Sequence, residues 1–141
     1  MSSNDPERIT ELLKTAKTIA VIGLTNSPFR PSYGVTQYMR SQGYRIIPVN
    51  PNITEWMGEK AYPSLLDVPE KVDIVDVFRR AEDTPSVADD AVKVGAKVLW
   101  LQTGVVSEEA AARAEAGGLT VVMDACIGST HAILQVPKKT S

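Results

Sequence analysis

The sequence predicts an α/β fold: a doubly wound, mainly parallel five-stranded sheet with helices on both faces. Three observations carry this. Short, nearly unbroken apolar runs recur along the chain, as expected of parallel strands buried on both sides. Between them lie amphipathic stretches that open at Ser, Thr or Asp and close at glycine, the punctuation of helices. The two kinds alternate from end to end with no repeat, low-complexity segment or linker, so residues 1–141 are expected to form one domain with its core over about 18–134.

The elements follow in order. Asp5 or Asn4 caps a first helix with Pro6 at its first position, and Ile9, Leu12, Leu13 and Ala16 make its apolar stripe. Thr18–Leu24 is the first strand. Ser32 is expected to cap a helix from about Tyr33 to Gln42, ended by Gly43. Tyr44–Val49 is the second strand; Pro48 cannot donate to a ladder, so it is placed at the terminal, unpaired position. Asn50-Pro51-Asn52 turns the chain, and a short helix is expected from Ser64 over Leu65, Leu66 and Val68. Val72–Phe78 is the third strand. Thr84 and Pro85 open a helix that closes at Gly95, and Lys97–Leu101 is the fourth strand. Ser107 caps an alanine-rich helix ending at Gly117-Gly118, and Leu119–Met123 is the fifth strand. From Asp124 onward one further helical turn is expected before a frayed end at Lys138-Lys139-Thr140-Ser141.

Composition narrows the function classes. With 43% hydrophobic and 23% charged residues and a net charge of −2, the chain is globular and offers no general surface for nucleic acid or membrane. No apolar run approaches the roughly 20 residues that span a bilayer. The N-terminus lacks the basic and apolar regions of a signal peptide, and the single cysteine, Cys126, suits a reducing, cytoplasmic setting. One cysteine and one histidine leave no Cys/His set for structural zinc.

Right-handed crossovers place every strand's carboxyl end on one edge, where open α/β sheets bind ligands. The first strand ends in Gly23 and opens toward a helix, the form of a phosphate site, yet the spacing G-x-G-x-x-G fails. The next glycine is Gly34, with Pro28, Arg30 and Pro31 between, a loop too long and proline-rich for the tight turn of an NAD site. The second strand ends Pro48-Val49-Asn50-Pro51, without the acid that holds the ribose of NAD. Such a pocket would instead accept an extra phosphate through Arg30 and Arg79, with Arg80, Arg45 and Lys60 in reserve; the alternative is that these arginines simply pair with surface carboxylates. Gly23, Thr25 and Ser27 would let a backbone and two hydroxyls approach a phosphate, or Gly23 would only permit a sharp exit from the strand. Gln102-Thr103-Gly104 lines the pocket or forms an ordinary turn.

Cys126, near Asp124 and His131, is read first as a small buried hydrophobe, then as a thiol that could form a mixed disulfide with a ligand's thiol, and last as a nucleophile. Trp56 and Trp100 are core or pocket wall. Glu108 and Glu109 suit a helix N-terminus and need no catalytic role. No catalytic residue and no metal ligand is assigned.

In order and spacing, Ala20-Val-Ile-Gly-Leu-Thr25, Arg30-Pro-Ser-Tyr-Gly-Val35, Ile47-Pro-Val-Asn-Pro51, Val72-Asp-Ile-Val-Asp-Val-Phe-Arg79, Val98-Leu-Trp-Leu-Gln102 and Val121-Val-Met-Asp-Ala-Cys126 form a pattern. With Gly58-Glu-Lys60 and Tyr62-Pro-Ser-Leu65, they resemble the small stand-alone CoA-binding proteins. That domain is similar to the Rossmann-like CoA-binding domain of the succinyl-CoA synthetase alpha subunit. The likeness runs from about Thr18 to Leu134.

The resemblance implies a coenzyme A pocket along the strand-end edge. Its phosphates and adenosine would lie against Gly23, Leu24, Thr25, Ser27, Arg30 and Ser32, Val49 and Asn50, and Val77, Phe78 and Arg79. Gln102, Thr103 and Gly104 would lie nearer the pantetheine arm. The pattern departs at the C-terminal end, where relatives look like Asp-Arg-Cys followed by Glu and Arg. Here Asp124-Ala125-Cys126 is followed by Thr130 and Ile133, so two cations and an acid are missing. The expected function is non-catalytic binding of coenzyme A or an acyl-CoA. The rivals are an NAD(P)-dependent or acyl-CoA thioester enzyme using Cys126, and a ligand-responsive regulatory module; an exposed pairing edge would allow a homodimer.

Overall fold

The computed structural model describes residues 5–140. Asn4, the alternative first cap, and Ser141 lie outside the described residues. Asp5 caps α1 (Pro6–Thr15), its carboxylate accepting the Glu7 N–H at 3.1 Å. β1 (Thr18–Ile22) leads to α2 (Pro31–Ser41) and β2 (Arg45–Val49), followed by a small antiparallel hairpin of β3 (Glu55–Trp56) and β4 (Glu59–Lys60). β5 (Ile74–Val77), α3 (Thr84–Lys93), β6 (Val98–Leu101), α4 (Glu108–Ala116), β7 (Thr120–Val122) and α5 (Ile127–Ile133) complete the order.

The main sheet runs β2-β1-β5-β6-β7 and every pairing in it is parallel. Alternate residues serve two cores, because side chains on a strand point to opposite faces. Ala20, Val75, Val77, Leu99 and Val121 meet Ala88 and Ala91 of α3 and Ala110 and Ala114 of α4. Ile19, Val21, Ile74, Trp100 and Val122 meet Leu13 of α1, Met39 of α2 and Ile127 of α5. Alanines bring α3 and α4 close to the sheet; bulkier side chains fill the other side. From β1 the chain turns outward to β2, then crosses back to β5, so the loops leaving β1 and β5 meet at their base and then run to opposite sides, opening a crevice above.

The expected fold stands, with local corrections. Ser32 is not the cap of α2: Arg30 holds that position, Pro31 begins the helix, and Ser32 is buried in its first turn. The fixed φ of proline suits a first helical position, which draws the helix start forward. Pro48 is not terminal either, for it pairs with Val21 one residue before the end of β2. Its carbonyl accepts the Tyr62 N–H at 3.0 Å on the outer side, so the missing N–H also faces away from β1. The β3–β4 hairpin was not foreseen. The C-terminal helix, expected as one turn, spans Ile127–Ile133.

Candidate functional site

A cleft of 770 Å³ lies at the carboxyl edge, over the point where the strand order reverses. Its walls come from the loop after β1, the first turns of α2, the segment after β5, the loop after β6 and the entry to α5. Gly23, Thr25, Arg30, Ser32, Phe78, Arg79, Gln102, Thr103 and Gly104, all singled out in the sequence, line it together.

Gly23 sets the shape. Its φ is +87°, and a Cβ there would sit 2.4 Å from the Phe78 carbonyl oxygen. Only glycine lets the two loops approach this closely. Its N–H donates to Val49 O at 2.9 Å, so the glycine contributes close approach and not a free donor. The Thr25 hydroxyl accepts the Ser27 N–H at 3.4 Å, and Ser27 O accepts the Arg30 N–H at 3.1 Å. These contacts fold the loop back so that Arg30 begins α2.

No side chain caps α2, whose N-terminus opens on the cleft at Pro31 and Ser32. Uncapped amides and the positive end of the helix dipole favour an anion there. Arg30 and Arg79 are exposed, and neither meets a carboxylate among the described residues. Arg80, held in reserve, also lines the cleft, but its Nε lies 3.7 Å from Asp83 and 3.8 Å from Glu82. The other reserves are not there: Arg45 is bound to Glu59 at 2.6 Å and Glu70 at 2.8 Å, and Lys60 is on β4. Two arginines and a helix N-terminus therefore face one space, with Val35, Phe78 and Val105 as its apolar wall.

Arg79 and Asp83 also line a neighbouring cleft of 410 Å³ beside Val49 and Pro51. Four other expected residues do not form cleft wall. Leu24 and Val77 are fully buried core. Ser27 serves the loop turn. Asn50 is a buried clamp, its Nδ2 donating to Leu24 O at 3.0 Å and its Oδ1 accepting the Asn52 N–H at 2.9 Å.

The cleft floor rests on a buried polar link. Gln102 Nε2 donates to the Asp76 carboxylate, and Gln102 Oε1 accepts the Ile127 N–H at 3.3 Å. Burial pushes the Asp76 carboxyl up to about 7, against the opposing pull of the Gln102 bond. The link joins β5, β6 and α5 and holds Cys126 at the cleft wall. Cys126 Sγ accepts the Ser129 N–H at 3.5 Å as the cap of α5. It has no imidazole partner: His131 is buried, with Nδ1 2.9 Å from the Tyr38 hydroxyl and its ring edge-on to Tyr38 and Tyr44.

Pro31 and Val105 lie in the strand-end segments expected to line the edge, 23–32 and 102–105, although neither is named as a site residue; sequence reasoning missed Val35 and Asp83. Val35 carried a signal, since a helix that starts at the strand-end edge presents its first turns there; Asp83 carried none. Among the described residues no group of three or more His, Cys, Asp or Glu could hold a metal, and no helix is long and apolar enough to cross a membrane.

A family model described as a CoA binding domain matches residues 17–132. The uncharacterized protein YneT of Bacillus subtilis is 44% identical over 94% of this chain and 98% of its own length. A hypothetical protein from Pyrococcus horikoshii OT3 has a solved structure that superposes with a TM-score of 0.90 at 37% identity, over 93% of this chain and 92% of its own. The ADP-forming acetate–CoA ligase II of Archaeoglobus fulgidus is 32% identical over 70% of this chain, which spans only 15% of that ligase.

Proposed function

Because this chain belongs to the CoA binding domain family, we propose that it binds coenzyme A or an acyl-CoA in the carboxyl-edge cleft, as one binding unit without catalysis of its own. The observation that carries the reading is the convergence of Arg30 and Arg79, which meet no carboxylate among the described residues, with the uncapped N-terminus of α2. Guanidinium groups bind phosphate with charge-assisted, often bidentate hydrogen bonds. In this reading Arg30 and the α2 amides hold the diphosphate. Arg79, shared between the two clefts, reaches the phosphate on the ribose, and the space beside Val49 and Pro51 takes adenosine. The pantetheine arm runs past Gln102 and Gly104, with its thiol on the Cys126 side.

Val49-Asn50 offers no carboxylate to ribose hydroxyls, which favours this ligand over NAD. The missing imidazole beside Cys126 favours binding over thioester chemistry. The lone cysteine suits action in the cytoplasm.

Calorimetric titration with CoA, 3′-dephospho-CoA and NAD tests the reading. The expected result is binding of CoA that weakens clearly when the 3′-phosphate is removed. No binding of CoA, or a preference for NAD, overturns it.

A further inference from the structure

A second basic cleft lies at the opposite, amino edge of the sheet, far from the site just described. It has a volume of 860 Å³ and is enclosed by the C-terminal ends of α1 and α2, the start of β2 and the tail over 137–140. Six cations line it (Lys14, Lys17, Arg40, Arg45, Lys138 and Lys139), and no acidic residue does. The chain as a whole carries −2, so this concentration is local.

The tail that forms one wall is built in. Lys139 N–H donates to Gln42 O at 2.9 Å, and Lys139 Nζ donates to Lys14 O at 2.7 Å while lying 4.8 Å over the Tyr44 ring. The backbone of Lys139 approaches Gly43 so closely that a Cβ there would be 2.9 Å from the Lys139 carbonyl oxygen. Gly43 has φ +96°, and the wall exists because this position is glycine.

The cations are not equivalent. Arg45 is neutralised by Glu59 and Glu70, and Lys139 is engaged as above. Lys14 and Arg40 sit in the last turns of α1 and α2, where a cation offsets the helix dipole, so their presence has a local cause. Lys17 and Lys138 lie beyond the helices, and among the described residues neither side chain meets a carboxylate. Burial is the main cause that lowers the Lys139 pKa; the Asp73 charge opposes it, and the Lys17 charge adds a smaller lowering.

A lining of six cations and no carboxylate is suited to an anion. Pro137 is the one apolar residue in the lining, which does not resemble the hydrophobic centre of a protein interface. The Thr15 and Ser41 hydroxyls already donate to their own helices, at 3.0 Å to Glu11 O and 2.6 Å to Tyr38 O, so recognition falls to the cations. We infer that the amino-edge cleft is a second anion site, independent of the carboxyl-edge one, for a small ligand carrying a chain of two or more phosphates.

Inorganic tripolyphosphate titrated calorimetrically at low salt into the full chain carrying Arg30→Ala/Arg79→Ala, which removes the carboxyl-edge arginines as competing phosphate ligands, tests this, with Lys17→Gln/Lys138→Gln or Lys138→Gln added to that variant. The expected result is that the arginine variant still binds, with binding weakened about fivefold or more when both lysines are replaced and less with Lys138→Gln. No binding to the arginine variant overturns the inference, as does binding that the lysine replacements leave unchanged. Octaglutamate binding as tightly as tripolyphosphate also overturns it, in favour of an acidic polypeptide. Failure of CoA to bind would leave these outcomes unchanged.

Discussion

Gln102 and Asp76 meet in the interior of the sheet, the amide of one donating to the carboxylate of the other where neither side chain reaches bulk water. An ordinary aspartate has a pKa near 3.8; burial here raises it to about 7. The folded chain thus keeps a proton that the unfolded chain releases, and Asp76 lowers stability as pH rises from about 4 to about 7, by up to ~1.4 kcal/mol per pH unit. His131, whose pKa burial and the Lys139 charge push below 6.5, acts oppositely: its contribution is lost as pH falls below that value. Asp76→Asn keeps an acceptor for Gln102 and removes the first effect. Relative to the parent, its denaturant midpoint is expected to be more favourable at pH 8 than at pH 4.5. A difference that does not change with pH rejects the assignment.

Gly23→Ala forces a side chain into a left-handed backbone position and against the Phe78 carbonyl, 2.4 Å away. The expected cost is at least ~2 kcal/mol, because backbone on both sides must shift. Urea unfolding reads it, and a loss under ~0.5 kcal/mol would show that the β1 and β5 loops separate freely.

Arg30→Ala and Arg79→Ala are each expected to weaken CoA about tenfold, the scale of one charge-assisted hydrogen bond, with little effect on stability since both side chains are exposed. The two should differ with ligand. Arg79→Ala should matter less for 3′-dephospho-CoA, and Arg30→Ala should weaken both ligands alike. Equal losses with both ligands for both variants would remove Arg79 from the ribose phosphate.

Asn50→Ala separates scaffold from contact. It leaves the Leu24 carbonyl and the Asn52 N–H without their side-chain partner. The expected result is a loss of about 2 kcal/mol in stability, with CoA affinity changed less than in either arginine variant. A larger effect on affinity than on folding would make Asn50 a direct ligand contact.

What the sequence made legible was what depends on short-range chemistry. Apolar runs marked all five strands of the main sheet, and Asp5 and Ser107 cap their helices as read, each accepting a backbone N–H. The place of Arg30 and Arg79 at the cleft was legible because strand ends in such a sheet share one edge. The rest depended on neighbours distant in sequence. Nothing local says that the Asn50 amide turns inward to Leu24, or that Pro48 is tolerated because its outer side faces Tyr62. The two-residue strands of the hairpin are too short to show a period, and buried Trp56 packing on Tyr33 fixes them from outside.

Sheets fail by growing, and the outer rim of β2 is closed to growth. Tyr62 occupies it through bonds to Pro48 O and from Asn50 N–H, and proline removes one donor that an incoming strand would need. β7, three residues long, is the rim left for a second copy to extend. Pairing there would engage few bonds, so the architecture resists runaway edge-to-edge association.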